Sequence, residues 1–428
     1  MASTQLSRAI RQSSRCTPLE LSRSITPSPS FPRCRFAAKL RKTRLPTRAK
    51  AIPESSVPGG EAPVASVIDD AQSSKLHLPP MEQWRTVFPD KKEAGKRSSI
   101  RNPATAKLLA ESFVPAGSKD KIIIEASPGP GQLTRALLDL PKERIKKLIV
   151  IENFNDYLQY LKPLEELDPR VTVLPMFGKD WATYRKITDM GLLNDVEVTD
   201  WNQVHPQLQF IMHMTSGVDG EQLSAQLLRT IPDRQWLYQY GRVPLNFILT
   251  ARMWERIIAP ESVAARCKVS VMAQSVSEMS EAVPYDAMQP YSDHFHPDIH
   301  NQFEYKFGKL DLRRMGIPYT VANFIPLVKP IIEPGDLDYW DYCVRKLFVQ
   351  KATPLEKCIN SLGPGAYNLL PKLNDPSKPE DMVDLKKNPR SFTVEDWAKI
   401  VRAFKNWPFR PEDLGIDTIF ITNVNKHT

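Results

Sequence analysis

Two glycines and one acid are the residues of this chain whose types and spacing best suit them to chemistry. Gly129 and Gly131 lie in the run SPGPGQLTRALL, and Glu152 follows Gly131 by 21 positions at the end of KLIVIE. Glycines at that spacing let a backbone come close to a ligand, and a helix beginning at Gln132 aims its N-terminal amides at the same place. A carboxylate at the end of the next strand is where nucleotide-binding folds accept hydrogen bonds from ribose hydroxyls. A tight structural turn explains the glycines alone equally well; the acid makes the pattern more specific. The nicotinamide fingerprint G-x-G-x-x-G is missing, because Gln132, Leu133 and Thr134 follow Gly131, which argues against a dehydrogenase. His294, His296 and His300 form a second constellation, H-x-H-x3-H. Their Pro/Asp-rich loop has no cysteine nearby, so no metal site is expected.

These residues need a sheet to hold them. NPATAKLLAESF reads as a helix capped by Asn102 with Pro103 in its first turn. KIIIEA then supplies a short β-branched strand, followed by the glycine turn and a helix, and KLIVIE supplies a second strand. VTVLP (171–175), QLQFIM (207–212), KVSVMAQS (268–275) and YTVANFIPLV (319–328) read as further strands, with helical material between them. Alternation of this kind predicts a Rossmann-like α/β sheet, mainly parallel, with ligands at the strands' carboxyl ends.

The charge is divided unevenly. Of the net +9 over 428 residues, the first 50 carry +11, so the rest of the chain is slightly acidic at −2. Nucleic-acid contact must therefore come from a local patch, since no overall positive field supplies it. The Arg/Ser-rich, acid-poor leader lacks the apolar core of a secretory signal and reads as an organellar transit peptide over 1–50. Leu6, Ile10 and the arginines at 8, 11 and 15 suit a mitochondrial matrix address, and the Ser/Pro stretch near 26–32 a chloroplast one; a disordered basic tail is the plainer reading. A linker over 51–94 follows. The five cysteines are scattered, without a C-x-x-C pair, so neither a disulfide framework nor a zinc site is indicated. No apolar run is long enough to span a membrane.

The string EASPGPGQLT (125–134) resembles the E-[IV]-G-P-G-x-G-x-L-T signature of the rRNA adenine N6-dimethyltransferase family. Later segments keep that family's order: FIMHMTSGVDGEQLSAQLL at its N-L-P-Y region, NFILTARMWERII at the following helix, HFHP and NFIPLVKP around the last strands. DYWDYCVRKLFVQ resembles the start of its small C-terminal helical domain. DWATY (180–184), YGRVPLNFIL (240–249) and WAKIVRAFKNWPFRPEDL (397–414) are similar to the mitochondrial transcription factor B branch of fungi. The resemblance implies an S-adenosylmethionine-dependent methyltransferase fold over 95–332 and helices over 333–428. It implies one of two roles. The first is a monomeric initiation factor that confers promoter recognition and melting on the mitochondrial RNA polymerase. The second is an active S-adenosylmethionine-dependent dimethyltransferase of organellar small-subunit rRNA.

Departures from the family pattern favour the first role. The N-L-P-Y position reads His213–Met214–Thr215–Ser216. The asparagine and proline whose groups accept bonds from the adenine amino group are replaced by His213 and Thr215, and no aromatic residue follows. A stacking face worth about 1–3 kcal/mol per base is missing. Ser127 replaces the first glycine of the cofactor loop, while Gly129, Gly131 and Glu152 remain, so S-adenosylmethionine binding stays open. Asp180 is the candidate for the acid that contacts the cofactor's adenine, or else simply a helix cap. Trp407, Pro408 and Phe409 could stack on single-stranded DNA, but an apolar plug is the simpler expectation. KERIKK (142–147), LRRMG (312–316), Lys386 and Lys387 are candidate phosphate contacts, and Arg242 is expected to face either the core or a nucleic acid.

Overall fold

The computed structural model describes residues 76–89, 97–297 and 319–414. The leader, His300 and the 312–316 basic cluster lie outside them. Seven strands form one mixed sheet: β2 (Lys121–Ala126), β3 (Ile145–Ile151), β4 (Val171–Leu174), β5 (Leu208–His213), β6 (Leu245–Thr250), β7 (Ser277–Val283) and β9 (Tyr319–Pro326). Their order is β4-β3-β2-β5-β6-β9-β7. The first five are parallel, and β9 runs antiparallel to both β6 and β7. A separate two-stranded ribbon pairs β1 (Ser99–Ile100) with β8 (Phe295–His296).

The parallel strands are buried on both faces, and strict alternation divides them. Ile122 and Ile124 of β2, with Leu208, Phe210 and Met212 of β5, enter one core. Ile123 and Ile211 enter the core on the opposite face. Helices cover both sides: α1 (Pro103–Phe113), α2 (Gln132–Leu138), α3 (Asn155–Leu161), α4 (Trp181–Asp189), α5 (Val218–Arg229), α6 (Ala251–Ile257) and α7 (Lys268–Val276). Two C-terminal helices, α8 (Leu337–Phe348) and α9 (Val394–Lys405), share the first of those cores through Trp340, Leu347, Trp397 and Phe404. Trp407 is buried there too, as a plug, while Phe409 stays exposed.

Three elements differ from the reading of the sequence. KVSVMAQS is helix α7, because its apolar residues are enclosed on every side and no two-fold alternation remains to specify a strand. NFILTARMWERII, which resembles a helix throughout, splits into strand β6 and helix α6; Thr250 marks the change by accepting a hydrogen bond from the Met253 amide at 3.3 Å. Strand β7 was not foreseen. It is an edge strand rich in Glu and Ser, with its middle exposed, and its hydrophobic signal is correspondingly faint. Within the segment expected as linker, Trp84 and Phe88 bury fully against Tyr157.

The start of α1 is as expected. Asn102 Oδ1 accepts from the amides of Ala104 (2.9 Å) and Thr105 (3.4 Å), with Pro103 at the first helical position. Asn102→Ala should lower unfolding stability by about 1 kcal/mol, read as a reduced urea midpoint at unchanged slope.

Candidate functional site

The carboxyl edge of the parallel strands gathers Ser127, Gly129, Gly131, Glu152, His213 and Thr215. β2 leads into the glycine loop, where Ser127 (φ 59°), Gly129 (φ 69°) and Gly131 (φ 90°) all lie in the left-handed region. Gly131 ends the loop as the N-cap of α2. Ser127 therefore keeps a glycine-type backbone without being glycine, at a cost of about 1–2 kcal/mol.

Glu152 follows β3 directly and is fully buried. Its carboxylate accepts five hydrogen bonds. Three come from the amides of Gly129 (3.1 Å), Asn153 (2.8 Å) and Phe154 (3.0 Å). The other two form a bidentate pair with the Arg97 guanidinium, Nη1 at 3.2 Å and Nη2 at 2.9 Å. Just after Arg97, the Ser99 side chain seats against the glycine loop: a Cβ on Gly129 would fall 1.9 Å from its Oγ. The lone pairs and the backbone surface that a nucleoside ribose would use are occupied by the chain's own segment 97–99. In this conformation the cradle does not fit S-adenosylmethionine.

That segment is firmly held. Ser98 Oγ bonds the Tyr291 hydroxyl at 2.7 Å, Ser99 and Ile100 pair with His296 and Phe295, and His296 Nε2 lies 2.6 Å from the Phe88 carbonyl. Below the loop, the Arg135 guanidinium donates to the carbonyls of Pro130, Gly131, Leu76 and Tyr160 at 2.8–3.0 Å. Burial, partly offset by Asp139, draws Arg135 down to about 10 from its usual value. His294 Nδ1 contacts Thr105 Oγ1 at 2.6 Å. Both described histidines of the H-x-H-x3-H run thus bond within the protein, and among the described residues no three or more His, Cys, Asp or Glu side chains cluster as a metal site would need.

On the same sheet face, Glu125 at the end of β2 and His213 at the end of β5 are buried side by side. Glu125 Oε2 accepts from Thr134 Oγ1 at 2.7 Å, and its Oε1 lies 3.5 Å from His213 Nε2. His213 therefore sits beside an acid under α2, with 1% of its surface exposed. The Thr215 carbonyl is backed by the start of α5, since a Cβ on Gly220 would lie 1.9 Å from it. Asp180 holds the N-cap position of α4 but is exposed and makes no capping bond with its side chain. Its charge, added to full burial, raises the Tyr184 phenol.

Several candidate phosphate contacts have partners elsewhere. Arg144 pairs with Glu111 at 2.7 Å, Lys147 with Asp195 at 3.0 Å and Lys387 with Asp396 at 3.0 Å. Arg242 faces the core, donating to the carbonyls of Pro326 (2.8 Å) and Asn202 (3.3 Å). Arg97 and Ser99 escaped sequence reasoning altogether; they lie in no motif, and Arg97 is 55 residues from its partner acid.

The description "Ribosomal RNA adenine dimethylase" matches residues 98–401. The chain belongs to this family. It is 23% identical over 310 residues to mitochondrial transcription factor 1 of Lachancea kluyveri, covering 71% of this chain and 86% of that protein. It is likewise 23% identical over 327 residues to dimethyladenosine transferase 1, mitochondrial, of Vermamoeba vermiformis, covering 68% and 84%. Among solved structures, a dimethyladenosine transferase from Plasmodium falciparum aligns at 13% identity with a TM-score of 0.45, covering 72% of this chain and 97% of that one. The dimethylase fold here carries an acid already paired to an arginine.

Arg97→Ala should lower stability by about 3 kcal/mol, because it leaves the Glu152 charge buried without its countercharge; the urea midpoint checks this. Ser127→Gly should act in the opposite direction and raise stability by about 1 kcal/mol through release of the left-handed strain, with thermal unfolding as the measurement.

Proposed function

We propose that this dimethylase-fold protein acts in the mitochondrial matrix as an initiation factor for the mitochondrial RNA polymerase, handling unpaired promoter strands without transferring methyl groups. One observation carries the reading: Glu152 is saturated by Arg97 and three backbone amides, so the acid meant for a cofactor ribose serves the protein's own structure. The target-base position supports it. His213 is buried beside Glu125, and no aromatic residue follows Thr215 to stack on an extruded adenine. Relatives similar over most of their length are named mitochondrial transcription factor 1. The basic leader supplies the address, and no helix among the described residues is long and apolar enough to cross a membrane.

The retained left-handed backbone at Gly129 and Gly131 favours a second reading, an active organellar rRNA dimethyltransferase. Here Arg97 would have to withdraw from Glu152 to admit S-adenosylmethionine.

Run-off transcription from a linear mitochondrial promoter with the cognate polymerase separates the two. The initiation-factor reading expects promoter-specific product that depends on this protein, together with no methyl incorporation into a small-subunit rRNA hairpin. Methyl transfer that disappears in Glu152→Ala, together with promoter-specific product that is the same with and without the wild-type protein, would overturn it.

A further inference from the structure

The groups beneath segment 97–99 are still arranged as a cradle. Gly129 and Gly131 keep their left-handed backbone, and the amides of Gly129, Asn153 and Phe154 aim at Glu152. What covers them is fastened from two sides. On one side, Ile100 is buried in the core under α1 and α2, and the Arg101 amide donates to the His294 carbonyl at 2.9 Å. The Tyr291 hydroxyl donates to the Pro297 carbonyl at 3.0 Å and accepts from Ser98 Oγ at 2.7 Å.

On the other side, residues 76–88 form a clasp. Arg135 Nη2 of α2 donates to the carbonyls of Leu76 and Tyr160 at 3.0 and 2.8 Å. The Phe88 ring meets Trp84 and Tyr160 edge to face at 5.1 Å between centroids, and Tyr157 at 5.7 Å. Trp84 reaches the His296 ring at 5.8 Å, and His296 Nε2 donates to the Phe88 carbonyl at 2.6 Å. The clasp thus joins α3, which begins just after Glu152, to β8, which pairs with Ser99 and Ile100.

Two features make this cover separable from the fold beneath it. Trp84, Phe88 and Tyr157 form a satellite cluster outside both cores of the sheet, and such clusters can open locally while the rest stays folded. Arg97, Ser98 and Ser99 add no apolar side chain to either core, so Ile100 is the point about which they can swing. The Arg97 fork presents two donors to one carboxylate. Two hydroxyls on adjacent carbons of a sugar offer the same pattern.

We propose that residues 97–99 are an autoinhibitory strap. Arg97 takes the place of a vicinal diol on Glu152, and the Trp84–Phe88 clasp, acting through His296, keeps it there. This deepens the reading of a protein that transfers no methyl groups: the cradle is shut by a contact that can be released. Breaking a buried ion pair is costly enough to hold the open form to about 1% or less, and apparent affinity for a diol falls in proportion.

The test is calorimetric titration of the full chain with adenosine, and with 2′,3′-dideoxyadenosine, which lacks both hydroxyls. Arg97→Ala should bind adenosine about a hundredfold more tightly than the wild type. Phe88→Ala leaves every cradle group in place and loosens only the clasp, so it should tighten binding about tenfold. Arg97→Lys retains a countercharge but gives up the fork; it should fall between wild type and Arg97→Ala, and it carries the test with Phe88→Ala if Arg97→Ala does not fold. None should bind the dideoxynucleoside. The proposal is overturned if the wild type binds adenosine as tightly as the variants, or if folded variants bind none. A Phe88→Ala protein that behaves as wild type beside an Arg97→Lys protein that binds would remove the clasp from the device, and equal binding of both nucleosides would place the site away from Glu152. Either result defeats it. Run-off transcription by the wild type scores the initiation-factor reading separately. A protein whose cradle opens in Phe88→Ala but which gives no promoter-specific product keeps the strap and loses that reading.

Discussion

The buried pair between Arg97 and Glu152 governs the carboxyl edge of this sheet. A carboxylate with no exposed surface must be fully hydrogen-bonded or neutralised, because an isolated buried charge is prohibitive. In a nucleotide-binding fold a ribose shares in that satisfaction. Here a guanidinium does so, and the consequences spread along the chain. Arg97 can reach Glu152 only if residues 97–100 cross the glycine loop, which places Ser99 against Gly129. That crossing is fixed by the ribbon with β8, and β8 in turn by His296 against the Phe88 carbonyl. Trp84, Phe88 and Tyr157 close the far side. A segment that reads as linker thereby becomes the cover of the site.

Much of the fold was legible because its parallel strands announce themselves. KIIIEA and KLIVIE are β-branched, buried on both faces and bounded by turn residues, so only a central strand accommodates them. The glycine loop, the Asn102 cap and the helix at Gln132 followed from local stereochemistry alone. The failures have separate causes, and at KVSVMAQS tertiary enclosure overrides local pattern. KVSVMAQS carries the β-branched residues of a strand yet is enclosed on all sides as α7. β6 was hidden inside a segment whose second half is truly helical, and only the Thr250 cap divides it.

The site was legible in a different proportion. Gly129, Gly131 and Glu152 converge as their spacing implied, and the loss of the N-L-P-Y residues is visible in the letters. What the acid bonds to was not visible. An arginine far from its partner, in no periodic segment, leaves no signal that one sequence can show. The partners of the basic runs were equally invisible: Arg144, Lys147 and Lys387 find carboxylates only once the chain is folded. Charge counted along a sequence measures supply, and folding decides which charges remain to meet a partner.

The same logic explains why two demands on one scaffold can separate. Methyl transfer demands a cofactor cradle and a base pocket facing each other, so closing either abolishes the reaction. Holding a strand demands only positive and apolar groups along a groove, and these tolerate independent change. With the Arg97 guanidinium on Glu152, the β2–β3 half of the edge is held by five hydrogen bonds. The half at β5 and β6 carried no such obligation. A cavity there is lined by Arg252, Arg256 and Glu221, none of which is among the groups that bond Glu152.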